Sequence, residues 1–413
     1  MKKELKSINE VVLVTQYFPP EIGGGSQRSV GFAEELNNNG ISVNVVTPFP
    51  SYLMSSDQVK TKYKLYEKSI EQGITIFRTF VYASDRGNFL KRILYYLSFT
   101  ISSTIVVLLV IPKVSCIITI SPPLFTGLVG IFSKIFKSSK FIFDIGDLWP
   151  ESAIQLGFLN SKTAIYLSRK LEKSIYSKSD LINVVTLKTL EKLKLVVGKN
   201  KKIIYVPNFV ETAKFIKAIK DDSLLNELNL NNKFIAGYAG NIGGAQGIKV
   251  IVDAAKLTLE NNSIAYLIIG DGVDKNKVKD EIEKYKLDNI MLLPPMSRME
   301  IIKYVQLFDC MIIPLVKNPL FEITIPSKLY ESMSSEIPVL LGVDGEARRI
   351  LELSNSGLFF EPESSSDLAI KVIYFYENRA NLNNYGTSAR KYTLENFDRK
   401  NVIKKFIEEL HNI

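Results

Sequence analysis

Short continuous apolar runs alternate with amphipathic stretches along most of this chain. Val11-Val12-Leu13-Val14-Thr15 is a run of the kind that is buried on both faces in a parallel sheet. A helix is predicted over Ser26 to Asn38, with Val30, Ala33 and Leu36 on one side and Gly40 just past its end. Further strands are predicted at residues 41–47, 74–80, 114–120, 140–143, 181–186 and 202–208, with helices at 126–136, 161–178 and 189–197. The second half repeats the alternation. Strands are expected at 234–240, 265–270, 290–293, 310–314 and 337–341, and helices at 248–260, 299–307, 328–334 and 402–411. Repeated strand–helix alternation predicts an α/β chain with parallel sheets. Its 413 residues are enough for two domains, each with its own core.

One stretch departs from this rhythm. Residues 93–112 carry no charge and include Tyr95, Tyr96 and Phe99. Twenty such residues are about a bilayer span in length. Ser98, Thr100, Ser102, Ser103 and Thr104 cluster in the middle of the run, which argues against a spanning helix. A buried helix of an α/β domain and a helix partly buried, partly lying on a membrane are the other two readings, and a mixture of them is favoured. From Arg86 to Phe143 there is no Asp or Glu, while Arg86, Lys91, Arg92, Lys113, Lys134, Lys137 and Lys140 are basic. That bias suits an anionic membrane surface.

Composition removes several functions. The net charge of +9 fits anionic ligands or membranes, yet no nucleic-acid-binding motif stands out. Cys116 and Cys310 sit in apolar, strand-like runs and read as buried thiols rather than a disulfide or zinc framework. The one histidine, His411, lies near the C-terminus, so a histidine-based metal site or Ser-His triad is not expected. Met1 to Glu10 is charged and the apolar run after it is short, so no signal peptide is expected.

Three places carry candidate chemistry. In the first, the loop Gly240-Asn241-Ile242-Gly243-Gly244-Ala245-Gln246-Gly247 joins a strand to a helix, as does the loop containing Gly24 and Gly25. Glycine loops at the C-terminal ends of strands let a ligand approach backbone N–H groups, although a tight turn explains the glycines as well. Neither loop is G-x-G-x-x-G, so a dinucleotide fingerprint is absent. The second place is Ile325-Pro326-Ser327-Lys328, which opens a short helix whose first N–H groups favour anions. Glu331 follows one turn in and suits sugar hydroxyls; an ordinary amphipathic helix with a solvated glutamate is the plainer alternative. The third is Asp144-Ile145-Gly146-Asp147-Leu148-Trp149-Pro150-Glu151, where acids at a strand end can orient or deprotonate a hydroxyl, or merely cap the next helix.

Taken together, P-S-K-L-Y-E before a P-V-L-L strand, G-N-I-G-G-A-Q-G, D-L-W-P-E-S and F-P-P-E-I-G-G resemble the retaining GT-B glycosyltransferases of the family-4 type, over essentially the whole chain. The bacterial surface-polysaccharide members, those that build O-antigen or capsule, are the most similar, N-acetyl-L-fucosamine transferases among them. The resemblance implies two Rossmann-like domains facing across a cleft. The first covers 1–208, completed by a crossover helix at 396–413; the second covers 209–395. It implies a UDP-sugar donor, with an N-acetylated or deoxy-hexosamine as the expected sugar, held by Gly240, Asn241, Gly243, Gln246, Met296, Pro326, Ser327, Lys328 and Glu331. Asp147 and Glu151 are the implied catalytic pair, with Gly24, Gly25 and Trp149 on the acceptor side. The implied acceptor is a polyprenyl-diphosphate-linked saccharide at the cytoplasmic face of the cell membrane, with no cofactor, no metal and no nucleic acid. Four positions depart from the pattern: Gly146 stands where relatives carry histidine, Asn241 and Gln246 where they carry arginine and lysine, and Ile323 where they carry a glutamate. A UDP-sugar 2-epimerase-like enzyme and a non-catalytic membrane adaptor of the same fold are the alternatives.

Overall fold

In the computed structural model, residues 8–21, 23–50, 64–82, 89–155, 157–198 and 201–413 are described. The chain divides into two compact units, Met1–Asn208 with Arg399–Ile413, and Phe209–Asp398. The return to the first unit falls at Arg399 rather than at 396, because a helix of the second unit runs on through Asn396.

Among the described residues, the first unit forms an eight-stranded sheet. Its strands are β1 (Glu10–Val14), β2 (Ser42–Pro48), β3 (Tyr66–Glu71), β4 (Ile74–Thr79), β5 (Cys116–Ser121), β6 (Lys140–Ile145), β7 (Leu181–Val184) and β8 (Ile203–Tyr205). The spatial order is β3-β4-β2-β1-β5-β6-β7-β8, parallel except for the β3–β4 hairpin at one edge. In register, Val14 of β1 lies beside Val46 of β2 and Thr119 of β5. The order reverses between β1 and β5, so their C-terminal ends flank the crevice in which open α/β sheets bind ligands. The Arg399–His411 helix packs on this unit. Phe406 meets Phe32 edge-on at 4.8 Å, and Arg399 reaches Glu34 at 2.7 Å and Glu35 at 2.9 Å.

The second unit is a six-stranded, wholly parallel sheet: β9 (Phe234–Ala239), β10 (Ile264–Ile269), β11 (Ile290–Leu293), β12 (Cys310–Pro314), β13 (Val339–Gly342) and β14 (Gly357–Phe359), in the order β11-β10-β9-β12-β13-β14. Helices cover both faces, which is why these strands read as unbroken apolar runs. The switch point lies between β9 and β12. It brings together the glycine loop after β9 and the segment after β12 that leads into the Ser327–Ser334 helix.

The uncharged stretch at 93–112 forms a helix over Phe89–Ile105 that widens into a π-helical segment at Val106–Val110. One side is core: Tyr95, Phe99, Val106 and Val107 are almost fully buried. The mid-run hydroxyls are used locally, Ser103 donating to the Phe99 carbonyl at 2.6 Å and Ser102 to the Phe80 carbonyl at 2.6 Å. Among the described residues, Lys91–Val110 is the one helix long and apolar enough to cross a membrane, with 39% of its most apolar window buried inside the fold. Both cysteines are buried in strands, and burial pushes both thiols up from their ordinary range.

Candidate functional site

The residues expected on the donor side all lie in the second unit. β9 ends at Ala239, and Gly240 takes φ +148°, a conformation that side chains resist. The chain then closes a tight loop. Gly240 N–H donates to Ile269, Ile242 N–H to Asp271 at 2.7 Å, and the Tyr238 hydroxyl donates to the Asn241 carbonyl at 2.6 Å. Asn241 Nδ2 donates to Gln246 Oε1 at 3.0 Å, spanning the loop. Gly243 lies beneath this bridge, where a Cβ would come within 2.9 Å of the Asn241 amide. Asn241 and Gln246 thus satisfy each other and bridge the loop. Gly270 is packed still more tightly: a Cβ there would fall 1.8 Å from the Gly240 carbonyl oxygen. The loops after β9 and β10 therefore touch through bare backbone.

Against this double loop lies the start of the Ser327–Ser334 helix, with Pro326 as its N-cap and Ser327 exposed. Pro326 makes no side-chain cap bond, so the first N–H groups of the helix have no side-chain partner from the cap. Lys328 reaches over the Gly240 loop. A Cβ on Gly240 would meet Lys328 Cε at 2.4 Å and Nζ at 2.6 Å, so the lysine side chain occupies the space that glycine leaves. Its ammonium stands 5.2 Å from the centre of the Tyr238 ring and makes no ion pair or hydrogen bond among the described residues. Desolvation pulls its pKa below the ordinary lysine value, opposed by the nearby Glu331 carboxylate. A part-buried cation, a helix start and a glycine loop lie side by side, an arrangement whose chemistry suits an anionic group such as a diphosphate. Met296 sits after β11, part-buried against the core. The Phe321–Ile323 turn precedes the helix. Its Glu322 backbone lies so close to Gly345 that a Cβ there would be 2.2 Å from the Glu322 carbonyl.

The residues expected on the acceptor side all lie in the first unit. The helix after the β1 loop starts at Gly24 rather than Ser26, and Gly24 has open space where a side chain would stand. A Cβ on Gly25 would touch the Tyr17 ring at 3.3 Å. After β6, Gly146 N–H donates to the Ser121 carbonyl at 2.8 Å. A Cβ at 146 would press to 2.9 Å on that same oxygen, so Gly146 permits close approach of two loops. Asp147 is exposed at this edge, yet surrounding protein raises its carboxyl pKa by desolvation. Trp149 is half-buried, its ring centre 6.1 Å from that of Phe125. Glu151 lies in the first turn of the Glu151–Gln155 helix and pairs at 3.0 Å with Arg169, both partners about half exposed.

Asp144, the first acid of this segment, is fully buried and committed elsewhere. Arg28 Nη2 and Nε donate to its two carboxylate oxygens at 2.7 and 2.8 Å, and Asn183 Nδ2 donates to it as well. The remaining Arg28 donors bond Val206 O at 3.2 Å, Pro207 O at 3.0 Å and Asn208 Oδ1 at 3.2 Å. This ion pair is a structural knot joining the Gly24–Asn38 helix, β6, β7 and the segment that closes the unit. Sequence reading missed it. The signal was an acid inside an apolar strand, which demands a cation. Among the described residues, no group of three His, Cys, Asp or Glu side chains converges in a metal-binding arrangement. A hollow of about 320 Å³ in the second unit, lined by Lys220, Gln306, Asp309 and Arg379, opens at the N-terminal edge of the sheet and is separate from the cradle.

Two Rossmann-like units, with a helix returned from the chain end to the first, define the GT-B fold of glycosyltransferases. Solved structures share it: sucrose-phosphate synthase from Thermosynechococcus elongatus superposes with a TM-score of 0.72 at 14% identity over 98% of both chains. Anabaena HepE, solved in complex with UDP and glucose, superposes at 0.71 and 13% identity over 98% of this chain and 99% of its own. Residues 220–392 match the family described as glycosyl transferases group 1, so this chain carries a group 1 glycosyltransferase domain and is a glycosyltransferase. It is 26% identical over 408 residues, 95% of this chain and 97% of the other, to WcaI of Escherichia coli (strain K12), whose name assigns it provisionally to glycosyl transfer in colanic acid biosynthesis. A transferase leaves the adaptor alternative without support.

Proposed function

We propose that this protein transfers a sugar from a UDP-sugar to a lipid-linked saccharide in the assembly of a surface polysaccharide, with retention at the anomeric carbon and without a metal. The observation that carries the reading is Lys328, desolvated, without an anionic partner of its own beyond the pull of Glu331, and laid over the Gly240 loop at a helix start. In this reading the donor diphosphate takes its counter-charge from Lys328 and its hydrogen bonds from Ser327 N–H and the glycine loop. As the bond between the anomeric carbon and the diphosphate breaks, these groups meet the growing negative charge on the leaving oxygen. Glu331 accepts from the ribose hydroxyls. Asp147 orients the attacking acceptor hydroxyl, Trp149 and the open backbone of Gly24 and Gly25 line the acceptor's path, and Glu151 contributes from its ion pair with Arg169. The name of WcaI and the UDP and glucose of HepE support the polymer class and the donor class respectively.

The test is a transfer assay with a panel of UDP-sugars and a polyprenyl-diphosphate saccharide, with product anomer read by NMR and a parallel reaction in EDTA. Turnover with one UDP-sugar, retention and indifference to EDTA are expected. An inverted product, or activity abolished by the chelator, would overturn the mechanism; turnover only of GDP- or ADP-sugars would overturn the donor.

A further inference from the structure

The Phe89–Ile105 helix and its π-helical extension have an outward face left exposed among the described residues. Leu94, Ile101 and Leu109 point out of the unit with 53%, 61% and 80% of their surfaces exposed. From residue 93 to 112 no charged side chain interrupts this face. A surface helix that meets only water carries polar residues there. The neighbouring Thr126–Lys137 helix continues the pattern, with Phe132, Ile135 and Phe136 exposed and the two phenylalanine rings stacked at 6.4 Å. The two helices are tied at their ends, where Lys137 Nζ donates to the Ile111 carbonyl at 2.6 Å. Contiguous exposed apolar surface of this kind marks an interaction site.

Charge identifies the occupant. Lys91 lies in the first turn of the helix and Lys113 just beyond the π segment; both are exposed and make no ion pair among the described residues. Lys140 is exposed nearby in sequence, and no acid occurs between Arg86 and Phe143. An apolar band closed at both ends by cations fits a bilayer with anionic headgroups, lysine stems following the apolar surface and ammonium groups reaching the phosphates. The opposite side of the same helix is core, and Ser98 Oγ accepts from Tyr82 N–H at 2.8 Å. To span a bilayer the helix would have to leave the sheet it packs on.

We infer that this face lies in the plane of an anionic membrane, as a one-leaflet contact that holds the first unit at the surface. The inference deepens the reading of a lipid-linked acceptor and rests on it for its purpose, while its test is independent. Full-length protein is floated with vesicles of phosphatidylcholine, and of equimolar phosphatidylcholine and phosphatidylglycerol, without nucleotide or saccharide. Wild type is expected to float with the anionic vesicles and to be released by alkaline carbonate. The Ile101→Glu and Leu109→Glu substitutions each weaken binding roughly tenfold or more. Lys91→Gln and Lys113→Gln weaken it about fivefold each, on the anionic vesicles alone. All four sites are exposed, so an unchanged thermal midpoint certifies folding. Wild type left in solution, or substitutions without effect on binding, would overturn the inference. Retention through carbonate would replace it with a spanning helix, and a dimer in lipid-free solution dissolved by Ile101→Glu would give the face to a second copy. Failure here leaves UDP-sugar transfer standing; failure of UDP to bind leaves this face standing.

Discussion

At the scale of single residues, three charged groups carry the predictions. Lys328 makes no ion pair among the described residues and is the proposed anion ligand, whereas Arg28 and Asp144 are paired with each other. Lys328→Ala is expected to weaken UDP binding by roughly ten- to a hundredfold, the span of one or two charge-assisted hydrogen bonds, with little loss of fold stability. The pH dependence follows from the lowered pKa of the free lysine. The diphosphate binds the ammonium form, so above the range in which UDP itself protonates, affinity falls as pH rises through that pKa, earlier than for an ordinary lysine. Calorimetric titration across pH checks the sign, and Lys328→Ala should flatten it. Asp147 carries the mirror prediction. If it orients the acceptor as a carboxylate, kcat/KM rises with pH through a value above the usual 3.9 or so for an aspartate, and Asp147→Asn removes that limb from the profile. Arg28→Ala acts on stability instead. It strands a fully buried carboxylate and should cost about 3–5 kcal/mol, measured by chemical denaturation. None of these roles was equally visible in sequence. P-S-K-L-Y-E announced Lys328 and Glu331 because a helix start and the residue one turn in are fixed by local geometry. The partner of Asp144 lies 116 positions away, a distance no local pattern spans.

Among elements, the apolar strands were legible because parallel strands covered on both faces are continuous hydrophobic runs. β3 was not: its YEKSIE sequence is exposed along nearly its whole length and pairs antiparallel at the sheet edge. It therefore has neither a buried run nor alternation to betray it. The glycine loops were visible as composition, but their purpose came only with contact. Gly240, Gly243 and Gly270 serve backbone-to-backbone and backbone-to-side-chain packing within the cradle. Gly270→Ala is expected to force the β9 and β10 loops apart and abolish UDP binding, since the obstructing atom is a backbone oxygen that cannot rotate away. Gly24→Ala, with open space around it, should fold normally and alter only acceptor-dependent turnover. Donor and acceptor titrations on both variants separate the two loops.

For the molecule as a whole, the expectation of an α/β chain with two Rossmann-like units and a returning helix matches the observed architecture. Its legibility came from the repeat of strand–loop–helix in each half. The return helix buries Val402, Ile403, Phe406, Ile407 and Leu410 on the first unit. At about 1.5–3 kcal/mol for each side chain, deleting residues 399–413 would remove stability comparable to that of an entire domain. The truncated chain is expected to lose cooperative unfolding of the first unit while the second still binds UDP; a chain that unfolds as before would contradict this accounting.

The most direct measurement of the central claim is calorimetric titration of the full-length protein with UDP, GDP and ADP, beside the Lys328→Ala variant. UDP binding in the wild type, loss of most of that affinity in the variant, and weak or absent binding of the other two nucleotides are the predicted result. UDP binding that ignores the substitution, or no nucleotide binding at all, would contradict a donor cradle built from Lys328 and the Gly240 loop.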